Sequence, residues 1–200
     1  METIRGKTSL AMDVYELNAR LTNFTRVVLD LGTGDGHFVR YLAETNPGWF
    51  VIGVDACREN LREHSSAKLP NALFVIATAQ SLPPELYGRV SHISINFPWG
   101  SLLESLLDAD ADFIRGLDAI SAGDTSLDLL LNGGALAEIG TNLEAGTRAI
   151  HRNLMYSGWQ WDAPVQLDAP SLRGFPTTWA RRIAHGRDPR AIALRGRRIE

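Results

Sequence analysis

Three glycines separated by single residues follow an apolar run in the segment DLGTGDGHF, which begins at Asp30. Gly32, Gly34 and Gly36 fit the pattern [DE]-x-G-x-G-x-G, whereas His37 stands where a dinucleotide loop needs Gly or Ala. A pyrophosphate wants bare N–H groups at a helix start, and the carboxylate of Asp30 would repel it. The spacing therefore favours S-adenosylmethionine, a cofactor without phosphate whose ammonium group a carboxylate can bind.

Further polar groups come where the next apolar runs end. Asp55 closes the second run, WFVIGVDA, and is placed to accept hydrogen bonds from ribose hydroxyls. The segment TAQSL, residues 78–82, follows the third run and would flank an adenine ring. The alternative is that the glycines only make a tight turn between a strand and a helix.

The fourth apolar run ends in INFPWG, residues 95–100. Methyltransferases that act on the amino groups of bases have a signature resembling [NDS]-P-P-[YFW] at this point, and here the residues are Asn96, Phe97, Pro98 and Trp99. Phe97 replaces the first proline, which puts in doubt the usual acceptance of amine protons by the Asn and Pro carbonyls. Trp99 keeps an aromatic ring that can stack on a planar base.

The elements that must position these residues alternate between strand and helix. Strands are expected at VVLDLGTG (27–34), WFVIGVDA, ALFVIATA, VSHISINF and SLDLLLN (126–132), and helices at HFVRYLAETNP, RENLREHSSAK, SLLESLLDADADFIRGL and NLEAGTRAIHRNLMYSG. Apolar strands alternating with helices predict an α/β fold with a mostly parallel sheet covered on both faces. Ligands of such sheets bind beyond the carboxyl ends of the strands. The residues expected at those ends are Asp30, Asp55, Ala79 and Asn96.

Both ends of the chain predict antiparallel additions to that sheet. A short hairpin is expected within residues 3–14, turning at Gly6. The segment WARRIAHG-RD-PRAIALRGR predicts two C-terminal strands joined by a Gly/Asp/Pro turn. The whole is predicted to be a Rossmann-like class I methyltransferase with a seven-stranded sheet, in a single domain of residues 1–200.

Composition is ordinary for a globular protein, with 44% hydrophobic and 22% charged residues. The absence of a long apolar run, of a signal-peptide core and of any cysteine besides Cys57 predicts a cytoplasmic protein without a membrane span. The net charge is −3, but residues 171–200 hold eight arginines against two acids. That basic end could bind a polyanion, and the alternative is a solvated, charge-rich terminus.

The segments DLGTGDGHFVRYLA, GVDAC, INFPWGSLL and TTWARR together resemble the aminoglycoside-resistance methyltransferases of 16S rRNA, in the kanamycin–apramycin resistance group. The resemblance implies methylation of N1 of adenine 1408 in the decoding site of the assembled 30S subunit. It also implies that Trp99 and Trp179 sandwich the flipped-out adenine as the catalytic residues.

The resemblance implies two further sets of residues. Cofactor contacts carry over onto Asp30, Gly32, Asp55, Ala56, Ala79, Gln80, Leu82, Trp99, Ser101 and Thr177, and position in the loop and at the strand end adds Gly34 and Asn96. RNA contacts carry over onto Arg58, Arg62, Lys68, Arg182, Arg187 and Arg190.

The chemistry of N1 methylation agrees with the residues present. Neutral adenine has a lone pair and no proton at N1, so attack on the sulfonium methyl needs no general base. The five histidines show no metal-ligand spacing, so no metal is expected, and the protein is expected to be a monomer. Three alternatives stay open: an N6-adenine or other RNA methyltransferase, a non-catalytic domain that binds both cofactor and RNA, and a nicotinamide oxidoreductase.

Overall fold

An antiparallel hairpin opens the chain in the computed structural model, which describes residues 1–199. Its strands are β1 (Glu2–Arg5) and β2 (Thr8–Ala11), paired with Glu2 opposite Ala11. Gly6 makes the turn with φ +59°, a backbone conformation that favours glycine. The hairpin extends the edge of the main sheet through an antiparallel contact between Thr3 and Val75.

Five parallel strands form the centre of the sheet: β3 (Arg26–Leu31), β4 (Trp49–Asp55), β5 (Ala72–Ile76), β6 (Val90–Asn96) and β7 (Ser121–Asn132). They lie in the order β5-β4-β3-β6-β7, so the chain reverses direction across the sheet between β5 and β6. Consecutive residues such as Val28 and Leu29 are both fully buried, as expected for strands covered on both faces. This topology brings the ends of β3, β4 and β6 together.

Three antiparallel strands complete the sheet on the β7 side: β8 (Trp159–Trp161), β9 (Val165–Leu167) and β10 (Ala191–Arg198). β10 pairs with β7, β8 and β9. The path from β5 to β8 contains seven strands, which confirms the predicted fold class with its antiparallel C-terminal strands. The predicted first arm of the terminal hairpin is wrong, because WARRIAHG forms a helix instead of a strand.

The described residues form helices α1 (Val14–Leu21), α2 (His37–Thr45), α3 (Arg58–Ser65), α4 (Gly100–Asp108), α5 (Ala111–Ile120), α6 (Gly133–Glu138), α7 (Leu143–Tyr156), α8 (Ala169–Gly174) and α9 (Thr178–Ala184). The predicted helix over SLLESLLDADADFIRGL is in fact two helices. Ala109 ends α4 with φ +52°, and the carboxylate of Asp110 then caps α5 by accepting from Phe113 N at 2.8 Å. The apolar pattern is continuous, but the N-cap at Asp110 begins a second helix within it and so separates α4 from α5.

Apolar side chains divide between the two faces of the sheet. One face packs against α1, α4, α5 and α7 in the main core. The other face carries two clusters, one under α2 and α3 and one under α8 and α9. Between those two clusters lie the polar side chains of Asp30, Ser94 and Asn96. Within residues 1–199 no helix has both the length and the apolar character needed to cross a membrane.

Candidate cofactor and base-binding site

A cleft of about 320 Å³ opens at the carboxyl ends of β3, β4 and β6, and we call it the cofactor cleft. Eight residues predicted to contact the cofactor line it: Gly32, Gly34, Asp55, Ala56, Ala79, Asn96, Trp99 and Ser101. Trp179 also lines it. A larger groove, of about 580 Å³, runs between the N-terminal hairpin and Lys68 and shares no lining residue with the cleft. The clustering of the glycine loop, both strand-end polar groups and the indoles makes the smaller cavity the functional candidate.

The glycine loop needs glycine at both of its ends. Gly32 and Gly36 have φ values of +71° and +80°. A Cβ atom would stand 2.5 Å from the side chain of Leu102 at Gly32, and 2.5 Å from the ring of Phe74 at Gly36. The loop therefore follows a path that other residues could not take, and its first N–H groups, those of Gly32 and Thr33, donate to Val54 O at 2.8 and 3.0 Å.

Asp55 fixes this loop to the end of β4. Its carboxylate accepts from the backbone N–H of Gly34 and from that of Cys57, each at 2.8 Å. Asp55 is half-buried and lines the cleft, so its remaining lone pairs are available to ligand hydroxyls. The carboxylate is thereby held in one orientation before any ligand arrives.

Asp30 lies beneath the cleft and is 1% exposed. Its Oδ1 accepts from the Ser94 hydroxyl at 2.8 Å and from the Asn96 amide at 2.9 Å. Burial raises the pKa of Asp30 to about 6 from its ordinary value of 3.8, although the hydrogen bonds from Ser94 and Asn96 act in the opposite direction. A cation next to this carboxylate would offset the cost of keeping it ionised.

Four predicted cofactor contacts lie outside the cleft lining: Asp30, Gln80, Leu82 and Thr177. Gln80 donates to the Ser105 hydroxyl at 2.6 Å, and Leu82 is part of the main core. Thr177 caps α9 by accepting from Ala180 N at 2.9 Å. None of these four lines the cleft itself, so their contacts with the cofactor stay predictions.

The two indoles predicted to sandwich a base lie against each other. The ring centroids of Trp99 and Trp179 are 5.4 Å apart, with 30° between the ring planes. Trp99 packs against the main core, and its Nε1 is buried with no hydrogen-bond partner among the described residues. Trp179 is 39% exposed. The structure therefore brings both indoles to the cleft, with Trp179 as the solvent-facing member.

Phe97 anchors the loop that carries Trp99, a role that sequence reasoning missed. It is 2% exposed and has φ +55°, in the left-handed region that bulky residues avoid. Its backbone N–H donates to Leu130 O at 2.8 Å, and its ring meets Phe175 edge-on with centroids 6.2 Å apart. The signal available in the sequence was Phe97 itself in place of the first proline of the signature, since an apolar ring there needs a pocket to enter.

The predicted RNA-binding residues fall into two groups. Three have acidic partners: Arg58 contacts Glu2 at 2.5 Å, Arg62 contacts Glu59 at 3.1 Å, and Arg190 contacts Asp188 at 2.7 Å and Glu144 at 3.2 Å.

The other three are Lys68, Arg182 and Arg187, which are exposed and have no ion pair within the part of the chain that the structure describes. The Arg182 guanidinium lies 5.1 Å from the centroid of the Trp179 ring. The unpaired charge is therefore closest to the indoles on the α9 side.

The cleft suits S-adenosylmethionine on the chemistry of its own groups. It offers a buried carboxylate below for an ammonium, an oriented carboxylate at Asp55 for ribose hydroxyls, and apolar walls for adenine. The buried, unpartnered Nε1 of Trp99 is a donor that a ligand acceptor could satisfy. Within residues 1–199 no group of three or more His, Cys, Asp or Glu side chains is arranged to hold a metal ion.

Comparisons with known proteins give one family. The family model described as NpmA, 16S rRNA (adenine(1408)-N(1))-methyltransferase, matches residues 2–198. A 16S rRNA (adenine(1408)-N(1))-methyltransferase of Streptoalloteichus hindustanus is 32% identical, with 94% of each chain covered. The crystal structure of the 16S rRNA methyltransferase KamB is 28% identical over the full length of both chains, with a TM-score of 0.89.

A second similar structure has bound cofactor. It is a variant of the 16S rRNA (adenine(1408)-N(1))-methyltransferase from Catenulisporales acidiphilia, solved with the cosubstrate SAM. It is 24% identical, covers 100% of this chain and 97% of its own, and has a TM-score of 0.86, so by itself it shows a shared fold. Together with the site geometry and the family match over almost the whole chain, these findings show that the chain belongs to the 16S rRNA (adenine(1408)-N(1))-methyltransferase family.

Proposed function

We propose that this protein transfers a methyl group from S-adenosylmethionine to N1 of adenine 1408 in 16S rRNA of the assembled 30S subunit, and so confers aminoglycoside resistance. The observation that carries the proposal is the pair of indoles, Trp99 and Trp179, at the cofactor cleft. Family membership supplies the substrate, and the indole pair supplies a place for a base that has left its stack.

The bound cofactor supplies an electrophilic methyl group on a positively charged sulfur. The base brings its own lone pair at N1, so no side chain has to remove a proton. Positive charge develops on the base during transfer, and an indole face attracts a cation by ~0.5–2 kcal/mol. The main task of the chain is then to place N1 in line with the methyl group, which is where most of the rate enhancement is expected.

The indoles must separate to take a base between them. Two stacked contacts at the usual carbon–carbon spacing need about 7 Å between the outer rings. The centroids of Trp99 and Trp179 are 5.4 Å apart, which is less than that spacing. Stacking on aromatic rings contributes ~1–3 kcal/mol per base, which offsets the few kcal/mol needed to extrude the adenine.

Support for an RNA-facing surface comes from the α8–α9 region. Arg173, Arg181, Arg182 and Arg187 lie in or just after these two helices and are exposed. Arg182 lies beside the Trp179 ring, so a phosphate held there would be adjacent to the base-binding indole. Arg58, Arg62 and Arg190 make weaker candidates because their acidic partners already neutralise them.

Transfer of label from S-adenosylmethionine to purified 30S subunits tests the function, followed by primer extension to map the modified base. The proposal expects a stop at adenine 1408. Methylation at N6 still allows the adenine to pair, so it would transfer label without stopping the polymerase. That result would favour the amino-group methyltransferases. Cofactor binding without label transfer would favour a non-catalytic RNA-binding domain.

We also propose that the protein acts as a cytoplasmic monomer without a metal. A neutral lone pair attacking a sulfonium methyl needs no Lewis acid, and the family's substrate is a ribosomal RNA. Methylation that is unchanged by a chelator, together with a mass of about one chain by light scattering, is the expected result. A stable dimer or loss of activity with chelator would contradict this part of the proposal.

A further inference from the structure

The glycine loop is hydrogen-bonded to the segment that carries Trp179. The Thr178 hydroxyl donates to Asp35 Oδ2 at 2.8 Å, across 143 residues of sequence. A second contact lies next to it, between His37 Nδ1 and the backbone carbonyl of Pro176 at 3.2 Å. The other carboxylate oxygen of Asp35 accepts from His37 N at 3.0 Å, so one carboxylate joins the start of α2 to the start of α9.

These contacts lie where they can fix the distance between the two indole rings. Trp99 packs against the main core and lies two residues after the buried Phe97 in the same loop. Trp179 is partly exposed and directly follows Thr178. The separation of the two rings therefore depends on how the N-terminal end of α9 is placed.

We propose that Asp35 is a positioning residue that acts through Thr178 to place the Trp179 ring opposite Trp99. We call the Asp35–Thr178 hydrogen bond the α9 latch. The proposal rests on the proposed function only in taking Trp179 as a surface that holds the target base. The latch also ties that surface to the glycine loop, whose Gly34 N–H is bound by Asp55. The base-binding wall and the cofactor-binding loop are then one connected unit.

Thr178→Val tests the latch with almost no change in side-chain shape, and Thr178→Ser is its matched control because it keeps the hydroxyl. A hydrogen bond to a charged group is among the stronger ones, so kcat on 30S subunits should fall about tenfold in the valine variant. The Kd of S-adenosylmethionine by calorimetry should stay within about twofold, since Thr178 does not line the cleft. The serine variant, which keeps the hydroxyl, should have a kcat close to that of the parent.

A second readout does not depend on methylation. Two indoles at this separation couple in the circular dichroism spectrum, and the difference between the parent and Trp179→Phe isolates the coupling of this pair. That coupling should weaken in Thr178→Val and persist in Thr178→Ser. Asp35→Ala should resemble Thr178→Val, and the double variant should lose no more kcat than Asp35→Ala alone, because both changes break the same bond.

The outcomes separate the latch from the function. A folded Thr178→Val variant with parental coupling and parental kcat overturns the latch. Equal loss of kcat in the valine and serine variants also overturns it, because packing instead of the hydrogen bond would then be responsible. If the parent does not methylate 30S subunits, the proposed function fails while the dichroism comparison still decides whether Asp35 positions Trp179.

Discussion

Replacing the buried carboxylate of Asp30 by an amide should raise the stability of the fold and at the same time weaken cofactor binding. Asn at this position keeps an oxygen that can accept from Ser94 and Asn96, which donate to Oδ1 at 2.8 and 2.9 Å. It removes only the charge that burial disfavours. We therefore expect Asp30→Asn to be more stable than the parent at alkaline pH and to bind S-adenosylmethionine poorly.

The magnitude follows from the pKa of Asp30. The folded pKa is about 6 and the ordinary value is 3.8, so ionisation in the folded state is disfavoured by about 2 pKa units, or about 3 kcal/mol. The raised pKa means that stability from protonated Asp30 is fully present below about pH 4 and is lost as the pH rises through 6. An amide loses no proton, so the variant's advantage should grow over this window and reach ~2–3 kcal/mol by pH 8.

Urea unfolding of the parent and of Asp30→Asn at pH 4.5 and pH 8 measures this difference, with Asp124→Asn as an exposed control. The Asp30 variant should exceed the parent at pH 8 and approach it at pH 4.5, whereas the Asp124 variant should change little at either pH. Calorimetry at pH 8 should show S-adenosylmethionine affinity reduced at least tenfold, because the ammonium loses its carboxylate. An Asp30→Asn variant that is less stable than the parent at pH 8 would refute the reasoning.

Three further predictions concern separate parts of the site. Asp55→Ala should weaken S-adenosylmethionine binding by ~1.5–3 kcal/mol in calorimetry, because ribose hydroxyls lose a charged acceptor, and unchanged affinity in a folded variant would remove it from the site. Arg187→Glu should weaken 30S binding and flatten its salt dependence, whereas Arg190→Ala, whose partner acids already neutralise it, should change both less; equal effects would contradict this ranking. Phe97→Ala should lower the free energy of unfolding by ~3–5 kcal/mol in denaturant titration, and a loss below about 1 kcal/mol would show that Phe97 is not an anchor.

The parallel core of the fold could be predicted because its signals are local. Apolar runs stopped by Gly32, Asp55 and Asn96 mark both the strands and the polar ends that meet in the cleft. The family comparison confirms the fold class, the cofactor and the family named by resemblance. Strand ends on one side of a parallel sheet must converge, so eight of the expected cofactor residues line one cavity.

The errors come from segments whose structure is decided by tertiary contacts. The pattern of WARRIAHG predicts a strand, yet the segment is helical and Ala180, Ile183 and Ala184 bury one helical face against the cluster around Phe97. The signal that could have corrected it is Thr177, a capping residue one position before the first helical turn. The left-handed Ala109 that divides α4 from α5 has no such local signal, because alanine ordinarily favours the helix interior.

The site could likewise be predicted only in part from the sequence. Ion pairs between residues far apart in the sequence, such as Arg58 with Glu2, are visible only once the chain is folded. The ring separation of Trp99 and Trp179 and the latch from Asp35 to Thr178 also join distant segments. The roles assigned to individual site residues therefore stay predictions that the variants above test.

The central claim is that Trp99 and Trp179 hold the target base. Its most direct test is the single-turnover rate of methylation at adenine 1408 in 30S subunits, measured for the Phe and Ala variants of both residues. Stacking tolerates a change of ring but not its loss, so both Phe variants should keep partial activity and both Ala variants should lose most of it. Trp179→Ala should also melt close to the parent, because Trp179 is 39% exposed. Folded Ala variants that methylate adenine 1408 at the parental rate would contradict the claim that the two indoles hold the target base.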